Sequence, residues 1–268
     1  MTVPSAKLTR APAGQSLRQT IGALGSAQKS GKGAPAYSRF INRRLGRLLA
    51  AVAFHLGLSP DAVTAISAAW TFSGIALLAL VEPSWGLGLA VSACLVLGYA
   101  FDAADGQLAR LRGGGSPAGE WLDHMVDCLK ISSLHLAVAV GMYRFEPLER
   151  GPALLVPLGF TIVASVHFFA DILNDQLRRR YAPSTPMVAA PPASVLRSLI
   201  VIPTDYGLLC LIFLLLGDPA VFFLAYTVLF ALTALYLALA SGKWFRDMKK
   251  LDAAPGDRLP SDSSSSAP

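Results

Sequence analysis

The chain has 268 residues, of which 53% are hydrophobic and only 15% are charged, and its mean hydropathy is +0.50. Soluble domains carry about a quarter charged residues, so this composition excludes an ordinary soluble domain and predicts a membrane protein. The net charge of +6 comes from basic residues without the interleaved aromatic side chains of a nucleic-acid-binding surface. We therefore expect no nucleic-acid partner.

The N-terminal region contains two segments of different character. Residues 1–36 are rich in Gly, Ser, Ala and Pro, with basic but no acidic residues. They bury too little apolar surface to offset the entropy cost of ordering, so we predict a disordered basic tail. From residue 37 to 58, apolar residues recur at helical spacing and four arginines occupy the rest of the first turns. This pattern is typical of an amphipathic helix at an anionic membrane surface, although a soluble surface helix shares it.

Six apolar segments follow, each close to the ~20 residues that a helix needs to cross ~30 Å of hydrocarbon. Ser59 and Pro60 supply the stop and helix start before the first of them. The predicted spans cover residues 61–81, 86–105, 119–142, 152–175, 198–217 and 219–241. The fold class is therefore all-α integral membrane, with six transmembrane helices preceded by an amphipathic interfacial helix. Residues 37–250 form the membrane domain, and residues 251–268 are predicted to be a disordered tail.

The basic residues indicate how the predicted spans are oriented. Six spans place both termini on one side of the membrane, together with the loop between spans two and three. Of the 23 basic residues, only Arg144 and Arg150 lie on the other side, and Lys130 lies within span three. By the positive-inside rule, we expect the termini and the site described next to be cytoplasmic, in a bacterial cell membrane.

Four aspartates lie where spans two and three approach the cytoplasmic side. They are Asp102, Asp105, Asp123 and Asp127. An aspartate near the bilayer centre costs about 2.5 to 3.5 kcal/mol, so the group needs a compensating partner. Spacings of three and four residues place each pair on one helix face, and two antiparallel neighbouring helices can bring both pairs together. Because hard divalent cations prefer oxygen ligands, the pattern predicts Mg²⁺, or Mn²⁺ as its substitute. Helix capping or pairing with nearby arginines is the alternative.

Small residues accompany the aspartates on the same helix faces. Gly106 and Ala109 follow the first pair, and Gly119 stands one turn before the second. The missing side chains open a slot beside the metals for a flat base or a diphosphate. Arg110 adds planar N–H donors suited to phosphate oxygens. Close helix packing is the alternative use of small residues in a membrane.

Together these residues resemble the signature of the CDP-alcohol phosphotransferase (CDP-alcohol phosphatidyltransferase) family, because D-x2-D-G-x2-A-R-x8-G-x3-D-x3-D occurs at residues 102–127. The resemblance implies transfer of a phosphoalcohol group from a CDP-linked lipid such as CDP-diacylglycerol to an acceptor hydroxyl, with release of CMP, in phospholipid biosynthesis. It implies that the four aspartates hold the metals and that Asp127 is also the general base. The CDP contacts that it implies are Gly106, Ala109, Arg110 and Gly119. It also implies a homodimer.

The acceptor alcohol is left open by the sequence. Lys130, three residues beyond Asp127, could bind an acceptor phosphate or simply pair with Asp127. The stretch Gly-Glu-x-x-Asp-His at residues 119–124 is similar to amino-alcohol phosphotransferases. In that case Asp171, Asp175 and Asp205 would meet a cationic head group.

Two other functions also place carboxylates in a membrane. A membrane prenyltransferase binds a diphosphate through magnesium and aspartates, but it does not explain the small residues and Arg110. A divalent-cation transporter needs acidic residues near mid-membrane in symmetry-related halves, and no internal repeat is evident.

Overall fold

The computed structural model describes residues 11–12, 14–26, 35–145, 148–181 and 204–253. Within these ranges the regular structure is helical and no strand occurs. The predicted all-α class is therefore confirmed.

The described residues form α-helices and short turns of tighter or wider helix. The α-helices are α1 (Leu17–Ser26), α2 (Arg43–His55), α3 (Pro60–Leu80), α4 (Trp85–Leu111), α5 (Pro117–Phe145), α6 (Leu155–Tyr181), α7 (Tyr206–Ile212) and α8 (Pro219–Ala253). A π-helical turn, Ser38–Asn42, leads into α2, and 3-10 turns at Leu148–Leu154 and Phe213–Gly217 lead into α6 and α8.

Five segments of the described chain are long and apolar enough to cross a membrane. They are Pro60–Leu80, Trp85–Leu111, Pro117–Phe145, Gly151–Tyr181 and Pro219–Leu251. The chain is therefore an integral membrane protein. The predicted fifth span, 198–217, lies partly outside the described residues, and its described part is the short apolar helix Tyr206–Gly217. The count of six spans stays a prediction.

Several helices continue beyond the predicted spans. Helix α4 ends at Leu111 rather than at residue 105, and α6 ends at Tyr181 rather than near residue 175. Hydropathy marks only the part of a helix that suits hydrocarbon, whereas the backbone hydrogen bonds persist until a residue stops them. For α4 that stop is Gly113, whose φ of 94° is unfavourable for residues with a side chain.

The corner between α4 and α5 is fixed by two helix caps. The N–H of Gly114 donates to the carbonyl of Ala109 at 3.0 Å, which closes a Schellman turn around Gly113. Ser116 then caps α5, because its Oγ accepts from the N–H of Gly119 at 3.0 Å. The chain reverses within this corner, so the last turns of α4 and the first turns of α5 lie at the same end of the bundle.

Helix α3 lies between the two helices that carry the aspartates. Both α4 and α5 pack along α3 rather than closely against each other. The α3–α4 contact is tight, because a side chain at Gly98 would collide with Thr71 and Ser67 donates from Oγ to the carbonyl of Gly98 at 2.8 Å. The predicted antiparallel neighbours α4 and α5 therefore contact each other through their polar side chains, such as Lys130 and Asp102, rather than by close backbone packing. A gap remains between them, and the polar side chains occupy it.

Helix α2 has an outward apolar stripe. Leu45, Leu48 and Val52 are 38%, 46% and 39% exposed, whereas Ala50 and Phe54 are buried. The small buried face packs against α4. This arrangement suits a helix whose apolar stripe contacts lipid. The placement of residues 37–58 at a membrane surface stays a prediction.

The structure differs from the sequence prediction at α1. We predict disorder for residues 1–36, but Leu17–Ser26 within it forms a helix. Thr20 and Leu24 are buried, and Thr20 Oγ1 lies 3.1 Å from Nε2 of His55. A composition average over 36 residues conceals this short apolar face, which becomes stable by packing on α2. Residues 1–10, 27–34 and 254–268 lie outside the described residues, so disorder there stays a prediction.

Candidate active site

Three of the four predicted carboxylates meet in the gap between α4 and α5. Asp102, Asp123 and Asp127 each offer one carboxylate oxygen, and these oxygens lie within 4.8 Å of one another. The side chains of Asp102 and Asp127 are 23% and 25% exposed. The predicted convergence of acidic side chains from the two helices is therefore present for these three residues.

The fourth carboxylate, Asp105, has a different environment. Its Oδ2 accepts a hydrogen bond of 2.7 Å from Oγ1 of Thr64 on α3. The residue is only 5% exposed, and it stands outside the close group of three. Asp105 is therefore anchored to α3, and it reaches the site from the side of the cavity described below.

Lys130 lies on the inner side of the carboxylates. Its Nζ is 2.6 Å from Oδ1 of Asp102 and 3.1 Å from Oδ1 of Asp127, and it donates to Oγ of Ser67 at 3.0 Å. The pairing with Asp127 considered from the sequence is thus present, with two further partners that sequence reasoning missed. The acceptor-binding role of Lys130 stays a prediction.

A cavity of about 810 Å³ opens beside the carboxylates. Its walls include these signature residues: Asp105, Gly106, Ala109, Arg110, Gly119 and Asp123. Asp102 and Asp127 lie one helical turn deeper than Asp105 and Asp123 along their helices. The residues of the sequence motif therefore form two groups: those on the cavity wall, and the deeper pair Asp102 and Asp127.

The missing side chains at the two glycines leave space at this wall. A Cβ at Gly106 would lie 3.4 Å from a terminal nitrogen of Arg110. At Gly119 it would lie 3.2 Å from Oγ of Ser116 and 3.3 Å from Oδ1 of Asp61. An alanine at Gly106 would make an ordinary van der Waals contact, whereas an alanine at Gly119 would press on two polar side chains, and either would narrow the wall.

Two arginines lie on the same wall and differ in their contacts. Nε of Arg110 and Nε of Arg112 are both buried and make no hydrogen bond to the described residues, and Arg110 is the one beside Gly106, where a Cβ would lie 3.4 Å from its terminal nitrogen. A buried donor without a partner costs about 1–3 kcal/mol, so the position of Arg110 favours contact with a bound anion. Arg112 instead lies over the ring of Phe54, 6.0 Å from its centroid. Burial lowers the pKa of the Arg112 guanidinium.

Two of the aspartates considered for a cationic head group, Asp175 and Asp205, have local partners. Arg179 of α6 contacts Asp175 at 2.5 Å and Glu120 of α5 at 3.3 Å. Asp205 accepts from the N–H groups of Tyr37 at 2.7 Å and Gly207 at 3.1 Å, so it caps α7. A head-group role for Asp175 and Asp205 therefore finds no support in these contacts.

A second cavity, of about 350 Å³, lies on the other side of Asp102 and Asp127. Its wall includes Tyr99, one turn before Asp102, and Ile131, one turn after Asp127. Phe168 and Asp171 of α6 line both cavities. Asp102 and Asp127 thus lie between two spaces that share a wall.

The carboxylate group fits a hard divalent cation. Mg²⁺ binds oxygen ligands at about 2.1 Å, which places opposite ligands about 4 Å apart. Oxygens within 4.8 Å of one another need only a small closure to reach that geometry. Lys130 contacts only the Oδ1 atom of Asp102 and of Asp127, so each carboxylate has a second oxygen that the lysine does not contact. Asp102, Asp123 and Asp127 would be the protein ligands.

Comparisons with known proteins give one family match and similar solved structures. The family model described as CDP-alcohol phosphatidyltransferase matches residues 57–244. Two similar crystal structures are of phosphatidylinositol phosphate synthase (PgsA1) from Mycobacterium tuberculosis, one in complex with manganese and citrate and one with CDP-DAG bound. Each is 20% identical to this chain with a TM-score of 0.44. The first covers 79% of this chain and 91% of its own, and the second covers 82% and 98%.

No curated protein matched the chain. The family match nevertheless covers well over half of it and includes every signature residue between Asp102 and Asp127. The resemblance stated from those residues is confirmed, and with it the assignment as a transferase. The chain belongs to the CDP-alcohol phosphatidyltransferase family.

Proposed function

We propose that the protein transfers the phosphoalcohol half of a CDP-alcohol, such as the phosphatidyl group of CDP-diacylglycerol, to an acceptor hydroxyl in phospholipid biosynthesis. CMP is released, and the reaction depends on Mg²⁺, for which Mn²⁺ substitutes. One observation carries the proposal: carboxylates from α4 and α5 lie within 4.8 Å of one another beside a cavity walled by Gly106, Arg110 and Gly119.

The donor binds in the larger cavity. Its diphosphate lies along the open wall at Gly106 and Gly119, where Nε of Arg110 donates to a phosphate oxygen and gains the partner that it lacks within the described protein. The guanidinium suits this task because its planar donors match phosphate geometry. A divalent ion bound at the carboxylates supplies positive charge that stabilises the diphosphate and the departing CMP.

Asp127 is the residue best placed to accept the acceptor's proton. Lys130 holds its Oδ1 at 3.1 Å, and the side chain is 25% exposed. The Asp127 carboxylate takes the hydroxyl proton as the acceptor oxygen bonds to the lipid-bearing phosphorus. The bond from that phosphorus to the bridging oxygen breaks, and CMP leaves with the electron pair. Asp105 is less suited, because it is 5% exposed and bonded to Thr64.

The active site faces the cytoplasm of a bacterial cell, and the enzyme works as a homodimer. The orientation follows from the positive-inside rule. Three arginines, Arg178 to Arg180, end α6 at the cavity, and Lys249 and Lys250 lie near the end of α8. The homodimer follows from the sequence resemblance. Cysteine accessibility from either side of oriented vesicles and the mass of the detergent-solubilised protein test the two statements.

An acceptor screen tests the reaction. Purified protein receives CDP-diacylglycerol and Mg²⁺ with glycerol phosphate, inositol phosphate, amino alcohols or unphosphorylated polyols in turn, and both CMP and lipid products are measured. We expect one acceptor class to yield equal amounts of CMP and a new phospholipid, and Asp127→Asn to yield neither. CMP without a new lipid would make the protein a hydrolase. Transfer from a prenyl diphosphate but not from any CDP-alcohol would support the prenyltransferase alternative.

A further inference from the structure

Lys130 is a buried cation at the meeting point of three spanning helices. The residue is 5% exposed. Its ammonium contacts Ser67 of α3, Asp102 of α4 and Asp127 of α5 at 3.0, 2.6 and 3.1 Å. An ammonium has three N–H donors, and these three contacts use all of them.

The position of this ammonium is set by helix packing. Ser67 is fully buried, and its hydroxyl donates to the carbonyl of Gly98, so its oxygen is directed to accept from Lys130. That hydroxyl lies in the tightest part of the α3–α4 contact. A fully engaged ammonium leaves no donor for an acceptor phosphate, which differs from the acceptor-binding role expected from the sequence.

The contacts of Lys130 divide the carboxylate group. The lysine pairs with Asp102 and Asp127 but makes no contact with Asp123 among the described ion pairs. It contacts only the Oδ1 atoms of its two partners, so the proposed ion would be bound on the side of Asp123. In a setting of low polarity, three carboxylates within 4.8 Å repel one another strongly unless a cation lies among them.

We propose that Lys130 is a resident counter-cation of the metal site. It holds Asp102 and Asp127 together when no divalent ion is bound, and its positive charge lowers the affinity of the site for that ion. This inference rests on the proposed metal site. Lys130 is thus a positioning residue, which acts on the reaction only through the two aspartates.

Two effects of removing Lys130 oppose each other, and their sizes decide the outcome. Loss of a hydrogen bond that orients a ligand weakens metal binding by about 10- to 100-fold. Loss of one positive charge a few ångströms from a divalent ion strengthens binding by more than that at an effective dielectric constant of about 20. We therefore expect a net gain in affinity, of at least about tenfold.

The test compares Lys130→Met with the charge-matched control Lys130→Arg. Melting temperature is measured in EDTA and in MnCl₂, and the Mn²⁺ dissociation constant is measured by electron paramagnetic resonance. In EDTA, Lys130→Met should melt roughly 10 °C below the wild type, because a buried pair has lost one partner. Its dissociation constant should be at least about tenfold lower, so Mn²⁺ should stabilise it by more than it stabilises the wild type. Lys130→Arg should bind Mn²⁺ like the wild type.

An unchanged melting temperature in EDTA, or weaker Mn²⁺ binding by Lys130→Met, overturns the proposal. If that variant accumulates only when purified in Mn²⁺, the proposal is supported. If it accumulates in neither condition, Ser67→Ala decides, because it keeps the charge and removes one partner. An unchanged Mn²⁺ dissociation constant then supports the charge role, and weaker binding overturns it.

A different variant tests whether the proposed metal site exists at all. Asp123→Asn removes a proposed ligand that does not contact Lys130. If wild type and Asp123→Asn bind Mn²⁺ equally, the proposed metal site is wrong. The melting temperature of Lys130→Met in EDTA still decides whether the lysine stabilises the carboxylates.

Discussion

The two faces of the carboxylate group differ in how completely their polar atoms are paired. On the inner face, Lys130 has three partners and the hydroxyl of Ser67 both donates and accepts. On the cavity face, Nε of Arg110 has no partner within the described residues, and glycines leave the wall open. The inner face therefore holds helices together, and the cavity face is suited to a ligand. Substitutions on the inner face should change stability first, whereas those on the cavity face should change activity first.

The largest effect should come from Asp123→Asn, on the cavity face. Loss of a metal ligand beside the reacting phosphate should lower the rate of CMP release by about 10³-fold or more. The melting temperature in EDTA should not fall, because the change removes one of three mutually repelling charges. A variant that keeps a tenth of the activity, or one that melts much earlier in EDTA, would break the distinction between the faces.

Arg110→Lys should be next in size. The substitution keeps a positive charge but removes Nε and the planar donors, so KM for the CDP donor should rise about tenfold with a smaller change in kcat. Arg112→Lys is the control, since Arg112 lines the same cavity and its buried Nε also makes no hydrogen bond to the described residues, but its guanidinium lies over Phe54 rather than beside Gly106. Steady-state kinetics that show equal effects for the two variants would contradict the special role of Arg110.

Ser67→Ala tests the inner face without altering its charge. It removes the partner of Lys130 and the hydrogen bond to Gly98, which should cost about 1 kcal/mol and lower the melting temperature by about 2–4 °C. KM for the CDP donor should stay unchanged, because this hydroxyl lies away from the cavity wall. A rise in KM for the CDP donor without a loss of stability would contradict the assignment of Ser67 to the inner face.

Gly119→Ala should give the smallest effect. The new methyl group would lie 3.2 Å from Oγ of Ser116 and 3.3 Å from Oδ1 of Asp61, and both side chains can rotate away. We expect KM for the CDP donor to rise about two- to threefold through this narrowing, which corresponds to roughly 0.5 kcal/mol. Gly115→Ala provides the control, since a Cβ there would meet nothing within 4 Å.

The sequence predicts the parts of the molecule that depend on periodicity along one chain segment. Apolar runs place the spans near Pro60, Trp85 and Pro117, and the spacing of Asp123 and Asp127 places both on one helix face. Span ends are predicted less well, because hydropathy does not register a helix that continues past the hydrocarbon. Helix α1 is missed because its stability comes from packing on α2.

The partners of the site residues are the part that the sequence does not predict. Whether Ser67 meets Lys130 and Thr64 meets Asp105 depends on the rotation of α3 between α4 and α5. The only indication in the sequence is that Thr64 and Ser67 are polar residues three positions apart in an apolar span. That spacing places Thr64 and Ser67 on one face, but it does not tell which helix they face.

Binding of CDP to the purified protein, measured by calorimetry in Mg²⁺ and in EDTA, tests the central claim most directly. The account holds that carboxylates of α4 and α5 bind a cation on the cavity side and that this cation binds the diphosphate. It predicts saturable binding of CDP in Mg²⁺, loss of at least about tenfold in affinity in EDTA, and no Mg²⁺ effect for Asp123→Asn. Equal affinity for CDP in Mg²⁺ and EDTA would contradict it.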